Sequence, residues 1–200
     1  MNVLVTAIRA VIVTAVLTGI AYPLVLLGVA KAVFPGQAEG SLVRDEQGEV
    51  IGSELIGQGF ALPHYFHPRP SAAGEKGYDA TASGGSNLGP TSVSLNARVK
   101  AAVEQLRAEN PDAKLPIPAD LVTASASGLD PDISPAGARW QAARVAKARG
   151  VTVSRVETIV ESLVERRTLG FLGEPRVNVL RLNLALDREL GRVRPGQRSR

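Results

Sequence analysis

The chain has 200 residues, enough for an anchor plus one folded domain of ordinary size but not for two large domains. Its formal charge is +4 with only 4% aromatic residues, and its Lys and Arg are spread along the sequence; nucleic-acid binding wants a clustered basic face with stacking aromatics, so that class is set aside. The absence of cysteine excludes disulfides, thiolate nucleophiles and Cys-ligated metals.

The first element is an apolar helix. From Ala10 to Ala30 no residue is charged, and Arg9 and Lys31 flank the run. At about 1.5 Å per residue such a run crosses about 30 Å of hydrocarbon. A cleaved signal peptide is the competing reading, since Ala30-Lys31-Ala32 resembles a small-x-small site; the run is longer than a usual signal core, and a retained anchor is favoured. Residues 1–7 are read as a cytoplasmic N-terminus and 8–33 as the transmembrane helix. Pro23 inside the span, with Ala15 and Gly19 four apart, predicts close packing against neighbouring spans. The short positive tail before the span favours N-in, C-out by the positive-inside rule, which puts the rest of the chain in the periplasm or outside the cell.

Residues 34–191 are read as one extracytoplasmic domain. Pro35-Gly36 closes the span. Leu42-Val43-Arg44, an Asp45–Gly48 turn, Val50-Ile51 and Leu55-Ile56 read as a short β-hairpin. Residues 57–90 are rich in Gly, Ser, Pro and Ala and read as loop, a length that is often functional. A helix is predicted from Thr91 or Ser92 to before Asn110-Pro111, with Leu95, Val99, Val103 and Leu106 on one face. A second opens at the Ser134-Pro135 cap and ends at Gly150. A third is predicted from a capping box at Ser154 and Glu157 to Gly170, burying Val156, Ile159, Val160, Leu163 and Val164. Val177 to Leu182 suits a strand or the start of a last helix, and residues 192–200 read as a disordered basic tail. The fold class is therefore α+β: one N-terminal transmembrane helix, then a single mixed domain with a short β-hairpin or sheet and about three helices.

Four stretches are candidates for chemistry. Ser83-Gly84-Gly85-Ser86-Asn87 is a glycine-rich loop ahead of a helix, able to offer backbone N–H groups to a phosphate; without Gly-Lys-Ser/Thr it is not a P-loop, and a tight structural loop is the simpler reading. Thr123, Ser125, Ser127 and Asp130 lie together, but a serine nucleophile needs a histidine base and the only histidines, His64 and His67, belong to no triad pattern. Those two are three apart, yet the prolines around them argue against a shared helix face, so no metal is predicted and a surface pair is expected. Phe171-Leu172-Gly173-Glu174-Pro175-Arg176 reads as a rigid turn whose Phe171-Leu172 is a contact surface if exposed.

Taken together, the motifs resemble the C-subunit family of the Kdp potassium-transporting ATPase of bacteria and archaea. The resemblance covers nearly the whole chain. It rests on Thr18-Gly19 and Tyr22-Pro23-Leu24, on Phe66 and Arg69-Pro70-Ser71, and on Ser83 to Asn87. It continues through Asp120 to Ser125, Ser127 to Pro131, Ile133-Ser134-Pro135, Gln141, Arg144-Val145-Ala146 and Arg149-Gly150. It ends with Gly170 to Pro175, Val177 to Leu180, Leu182-Asn183 and Ala185-Leu186-Asp187. Ala126, where many members have glycine, and the Arg-rich tail depart from the pattern.

The resemblance implies a non-catalytic accessory subunit of a high-affinity potassium pump. Its partners would be a channel-like potassium-binding subunit, a P-type ATPase subunit and a small single-span subunit. The chain lacks the Asp-Lys-Thr-Gly-Thr phosphorylation sequence, in keeping with that role. The resemblance further implies a catalytic chaperone that raises ATP affinity, with ATP near Ser83 to Ser86, whereas N-in topology places that loop away from cytosolic ATP. Partner contacts are expected from Arg69, Ser127, Asp130, Gln141, Arg144, Phe171, Glu174 and Arg176. An anchored serine hydrolase acting through Ser125 or Ser127, and a solute-binding or scaffold domain, are the alternatives.

Overall fold

A computed structural model describes residues 2–45 and 47–193. The chain folds as two compact units, Met1–Ser53 and Glu54–Arg200.

The first unit begins with one continuous helix, Val3–Val33, of 31 residues, whose most apolar 18 residues have a mean hydropathy of 2.3 and none of whose described residues is buried. Helix α1 (Val3–Val16) passes through a π turn at Leu17–Ala21 into α2 (Tyr22–Val33). The wider turn has a local cause. Pro23 has no N–H and its ring crowds the carbonyl four residues back, and the Tyr22 N–H reaches Leu17 O, five residues back. Thr18 Oγ1 donates to Thr14 O at 2.8 Å, so its hydroxyl needs no outside partner in an apolar setting.

A single turn, α3 (Pro35–Ala38), precedes a hairpin of β1 (Leu42–Arg44) and β2 (Val50–Ser53). Leu42 faces Ser53, Val43 faces Gly52, and a bulge after Val43 sets Arg44 against Val50. Asp45 fixes the turn by accepting the Gln47 and Glu49 N–H groups at 3.0 and 2.8 Å. Leu55-Ile56, expected in this hairpin, lies beyond it, because β2 ends at Ser53.

The second unit holds α4 (Val93–Glu109), β3 (Asp132–Ile133), α5 (Pro135–Arg149), α6 (Val153–Ser162), β4 (Val177–Asn178) and α7 (Val179–Leu190). Ser92 caps α4 by accepting the Leu95 N–H, and Ser134 caps α5 by accepting the Gly137 N–H, as the sequence predicts. Gly150 ends α5 in the left-handed region at φ 68.

Helix α6 departs from expectation at both ends. Its cap is Thr152, whose Oγ1 accepts the Arg155 N–H, and the expected cap, Ser154, lies inside the first turn. It ends at Ser162 rather than Gly170, because residues 165–176 form a small hairpin of their own, with Glu165 bridging Arg176 and Thr168 bridging Leu172. The Val177–Leu182 run resolves into strand and helix in succession. β4 pairs antiparallel with β3 (Asp132 with Asn178, Ile133 with Val177), and the Asn178 side chain then caps α7 by accepting the Arg181 N–H.

The core is the joint apolar face of α5, α6 and α7, where Val145, Val156, Ile159, Val160, Leu182 and Leu186 are buried together with Phe66 from the long loop. The fold class is α+β; beyond the hairpin and the single turn α3, the second unit carries, among the described residues, a two-stranded sheet of its own and the four α-helices α4–α7. The predicted tail lies, from residue 194, outside the described residues.

Candidate functional site

Three loops that the sequence singled out separately meet in one cluster. Ser71 Oγ donates to Gly128 O at 2.6 Å and accepts the Tyr78 N–H at 2.7 Å and the Ala73 N–H at 3.2 Å. The Tyr78 hydroxyl returns to Arg69 O, and burial pushes this phenol up to about 12. Arg69 pairs with Asp130 at 2.8 Å, and the other Asp130 oxygen accepts the Asp132 N–H at 3.0 Å.

The glycine-rich loop packs onto the same turn. Gly84 N–H and Ser83 Oγ both donate to Ser127 O, at 2.8 and 3.0 Å. Space explains the glycines: a Cβ on Gly85 would lie 2.8 Å from Ala126 O, and one on Gly128 would lie 2.6 Å from Gly84 O. Gly128 also sits at φ 68, where a side chain is strained. Of the loop N–H groups a phosphate could use, that of Gly84 is already donated. Asn87 takes a positive φ of 50 at the exposed end of the loop, and Ser86 is half-buried.

Ser125 and Ser127 hydroxyls face each other at 3.4 Å. Both histidines are engaged elsewhere. His67 Nε2 lies 3.2 Å from Leu62 O and Nδ1 3.4 Å from Glu109. His64 is buried against Tyr65, not at the surface as expected, because Arg149 draws in its carbonyl. Burial first, then the charges of Arg144 on His67 and Arg149 on His64, holds both imidazoles below their ordinary value. The hydrolase alternative thus has no placed base among the described residues. These residues also contain no group of three or more His, Cys, Asp or Glu side chains able to hold a metal ion.

Gln141 and Arg144 point inward and hold the 63–67 strap. The Gln141 amide accepts the His67 N–H at 2.8 Å and donates to His67 O at 3.0 Å. Arg144 donates to Pro63 O and Tyr65 O, at 2.7 and 3.1 Å, and to Gln141 Oε1. Asn183 on α7 repeats the device on Phe66, at 2.8 Å to its N–H and 3.0 Å to its carbonyl. Asp187 accepts the Tyr65 hydroxyl and pairs with Arg149 at 2.7 Å. Asn183, Asp187 and Tyr78 were missed as site residues; the four-residue spacing of the first two on α7, and an aromatic residue between Gly77 and Asp79 in a Gly/Ser-rich loop, were the available signals.

The 165–176 hairpin is the exposed piece. Leu169, Phe171 and Leu172 are 80%, 66% and 49% exposed. Positive φ at Leu169, Gly170 and Gly173 folds the tip back on itself. Glu174 pairs with Arg167 at its neck. Arg176 pairs with Asp132 at 3.1 Å and Glu165 at 2.8 Å, and Arg181 links Glu165 to Glu54. Ala15 and Gly19 lie on the span, Gly19 with open space where a Cβ would go and Pro23 just beyond the π turn.

Comparison with known proteins gives the wider frame. The family model described as "K+-transporting ATPase, c chain" matches residues 4–188. A Myxococcus xanthus protein named potassium-transporting ATPase KdpC subunit is 64% identical over 186 residues, covering 93% of this chain and 88% of the relative. Proteins of the same name from Caulobacter vibrioides and Herpetosiphon aurantiacus are 62% and 54% identical, covering 86% and 90% of this chain and 86% and 93% of themselves.

Proposed function

This chain belongs to the KdpC family, the c chain of the K+-transporting ATPase, and from that premise we propose that it is the non-catalytic accessory subunit of an ATP-driven potassium uptake complex, which it assembles and stabilises. The observation that carries the reading is the family match across both the apolar helix and the folded domain. The helix anchors the chain in the cell membrane with its N-terminus inside. It packs through Ala15, Gly19 and the Pro23 kink against spans of a channel-like subunit, a P-type ATPase subunit and a small single-span subunit. The domain lies on the outer side. There the cluster built by Arg69, Asp130, Ser127 and the Ser83–Asn87 loop, together with Glu174 and Arg176, forms the surface that meets the channel-like subunit, while Gln141 and Arg144 act by holding the strap behind it.

Promotion of ATP use by the pump subunit then travels through these contacts rather than through nucleotide on the loop. Support comes from the Gly84 N–H and the Ser83 hydroxyl, which already have a partner in Ser127 O.

The test is removal of the chain from the assembled pump. Loss of potassium-stimulated ATP hydrolysis and of co-purification among the remaining subunits is expected, and full activity without the chain would overturn the proposal. Since the sequence has no cysteine, Ala126→Cys at the exposed end of the cluster reports the side directly. Labelling of intact cells by an impermeant maleimide is expected. Labelling only after lysis would move the domain to the cytosol, and a rise in melting temperature of the isolated chain with ATP would restore nucleotide to the loop.

A further inference from the structure

The apolar tip of the hairpin at residues 165–176 lies beyond Glu174 and Arg176, the hairpin residues assigned above to the partner-facing surface. Three large apolar side chains, Leu169, Phe171 and Leu172, stand in solvent at the end of a tight turn. At the foot of that turn a cavity of about 590 Å³ opens, lined by Arg139, Arg166 and Arg167 beside Val164 and Pro175. Glu161 takes Arg139 and Glu174 takes Arg167, which leaves Arg166 as the one unpaired cation of the groove among the described residues. An apolar tip bordered by one free guanidinium, that of Arg166, is the complement of an amphiphile whose anionic head sits next to its hydrocarbon.

We propose that this hairpin docks on anionic phospholipid, with the tip among the acyl chains' upper carbons and Arg166 on the headgroup phosphate. The inference rests on the chain being membrane-anchored. The helix Val3–Val33 keeps the domain permanently near a bilayer, so even a weak contact acts at high effective concentration. Leucine and phenylalanine supply apolar area to the interface, and arginine offers paired N–H donors to phosphate. The glycines at 170 and 173 meet nothing within 4 Å where a Cβ would stand, so the turn projects free of its own domain.

The experiment places an indole at the tip. Full-length chain carrying Phe171→Trp is reconstituted in nanodiscs of phosphatidylcholine alone, or of phosphatidylcholine with phosphatidylglycerol, each with and without spin-labelled lipid. The buried Trp140 gives the background, measured on the parent chain. In the anionic discs the new emission is expected to shift to the blue, to resist acrylamide and to be quenched by the spin labels. Arg166→Glu should return it to the behaviour seen in phosphatidylcholine. An indole equally open to acrylamide in both lipids overturns the proposal. Spin-label quenching that is the same in both lipids overturns the headgroup half of it. The assembled pump gives the last arm: an indole shielded from acrylamide but untouched by the spin labels assigns the tip to a partner subunit instead. Unchanged melting of Phe171→Trp and Arg166→Glu excludes misfolding as the cause.

Discussion

Asn183 and Gln141 each use one primary amide to satisfy both the N–H and the C=O of a single residue in the 63–67 strap. Among the described residues the strap has no strand beside it, so these two side chains stand in for the ladder it lacks. Asn183 is 2% exposed and Phe66 0%, so water cannot replace the amide. Asn183→Ala therefore strands a buried donor and a buried acceptor, each costing about 1–3 kcal/mol. A fall of about 2–6 kcal/mol in urea unfolding is expected for the two groups together, while Asn96→Ala, exposed on α4, should change little; equal effects from the two would sink the argument.

The histidines set the pH dependence at this scale. Burial and the neighbouring guanidinium charges of Arg144 and Arg149 lower His67 and His64 in the folded state, while Glu109 and Asp187 pull the other way. The unfolded chain thus binds protons first, and stability present above about pH 6.5 is lost as the pH falls through that value toward the folded ones. The urea midpoint should drop between about pH 7.5 and pH 5.5, and His67→Gln with His64→Gln should flatten that drop. A midpoint that rises on acidification would reverse the assignment.

At the level of elements, the glycines of the loop cluster separate architecture from ligand binding. Gly128→Ala places a methyl 2.6 Å from Gly84 O at φ 68, and strain of this kind costs about 1–3 kcal/mol. Gly84→Ala meets only Ala82 O, at 4.0 Å. A large stability loss for the first and almost none for the second is expected in thermal melts. If Gly84→Ala left the melt unchanged, as expected, but abolished pump activity, the loop would act in the assembled pump directly and not through the fold of its own domain.

Elements with a local cause were readable in the sequence. Ser92 with Asn110, and Ser134-Pro135 with Gly150, bound α4 and α5 where expected. The end of α6 was hidden because its apolar stripe runs on through Leu163 and Val164, which pack on the core from outside the helix. The loop cluster was legible as three motifs but not as one site. Ser71 with Gly128 and Ser83 with Ser127 are joined across 57 and 44 residues, and no local pattern announces such a pairing.

The whole molecule divides its apolar surface between two solvents. The helix Val3–Val33 is about 46 Å long at 1.5 Å per residue, longer than a bilayer's hydrocarbon, and leaves its side chains outward for lipid or partner helices. The buried core, in contrast, is drawn, among the described residues, from those after Glu54. Even the boundary is tied inward, since Asn178 donates to Glu54 O at 2.8 Å and Arg181 pairs with the Glu54 carboxylate, holding it below its usual value. A fragment of residues 54–193 keeps every one of those interactions and loses the apolar helix. It should express as a soluble monomer with a single cooperative melt, and Asn183→Ala should lower that melt as it does in the full chain. A fragment that aggregates or melts without a transition would mean that the anchor unit completes the fold, and that the division of the chain into two compact units does not extend to its energetics.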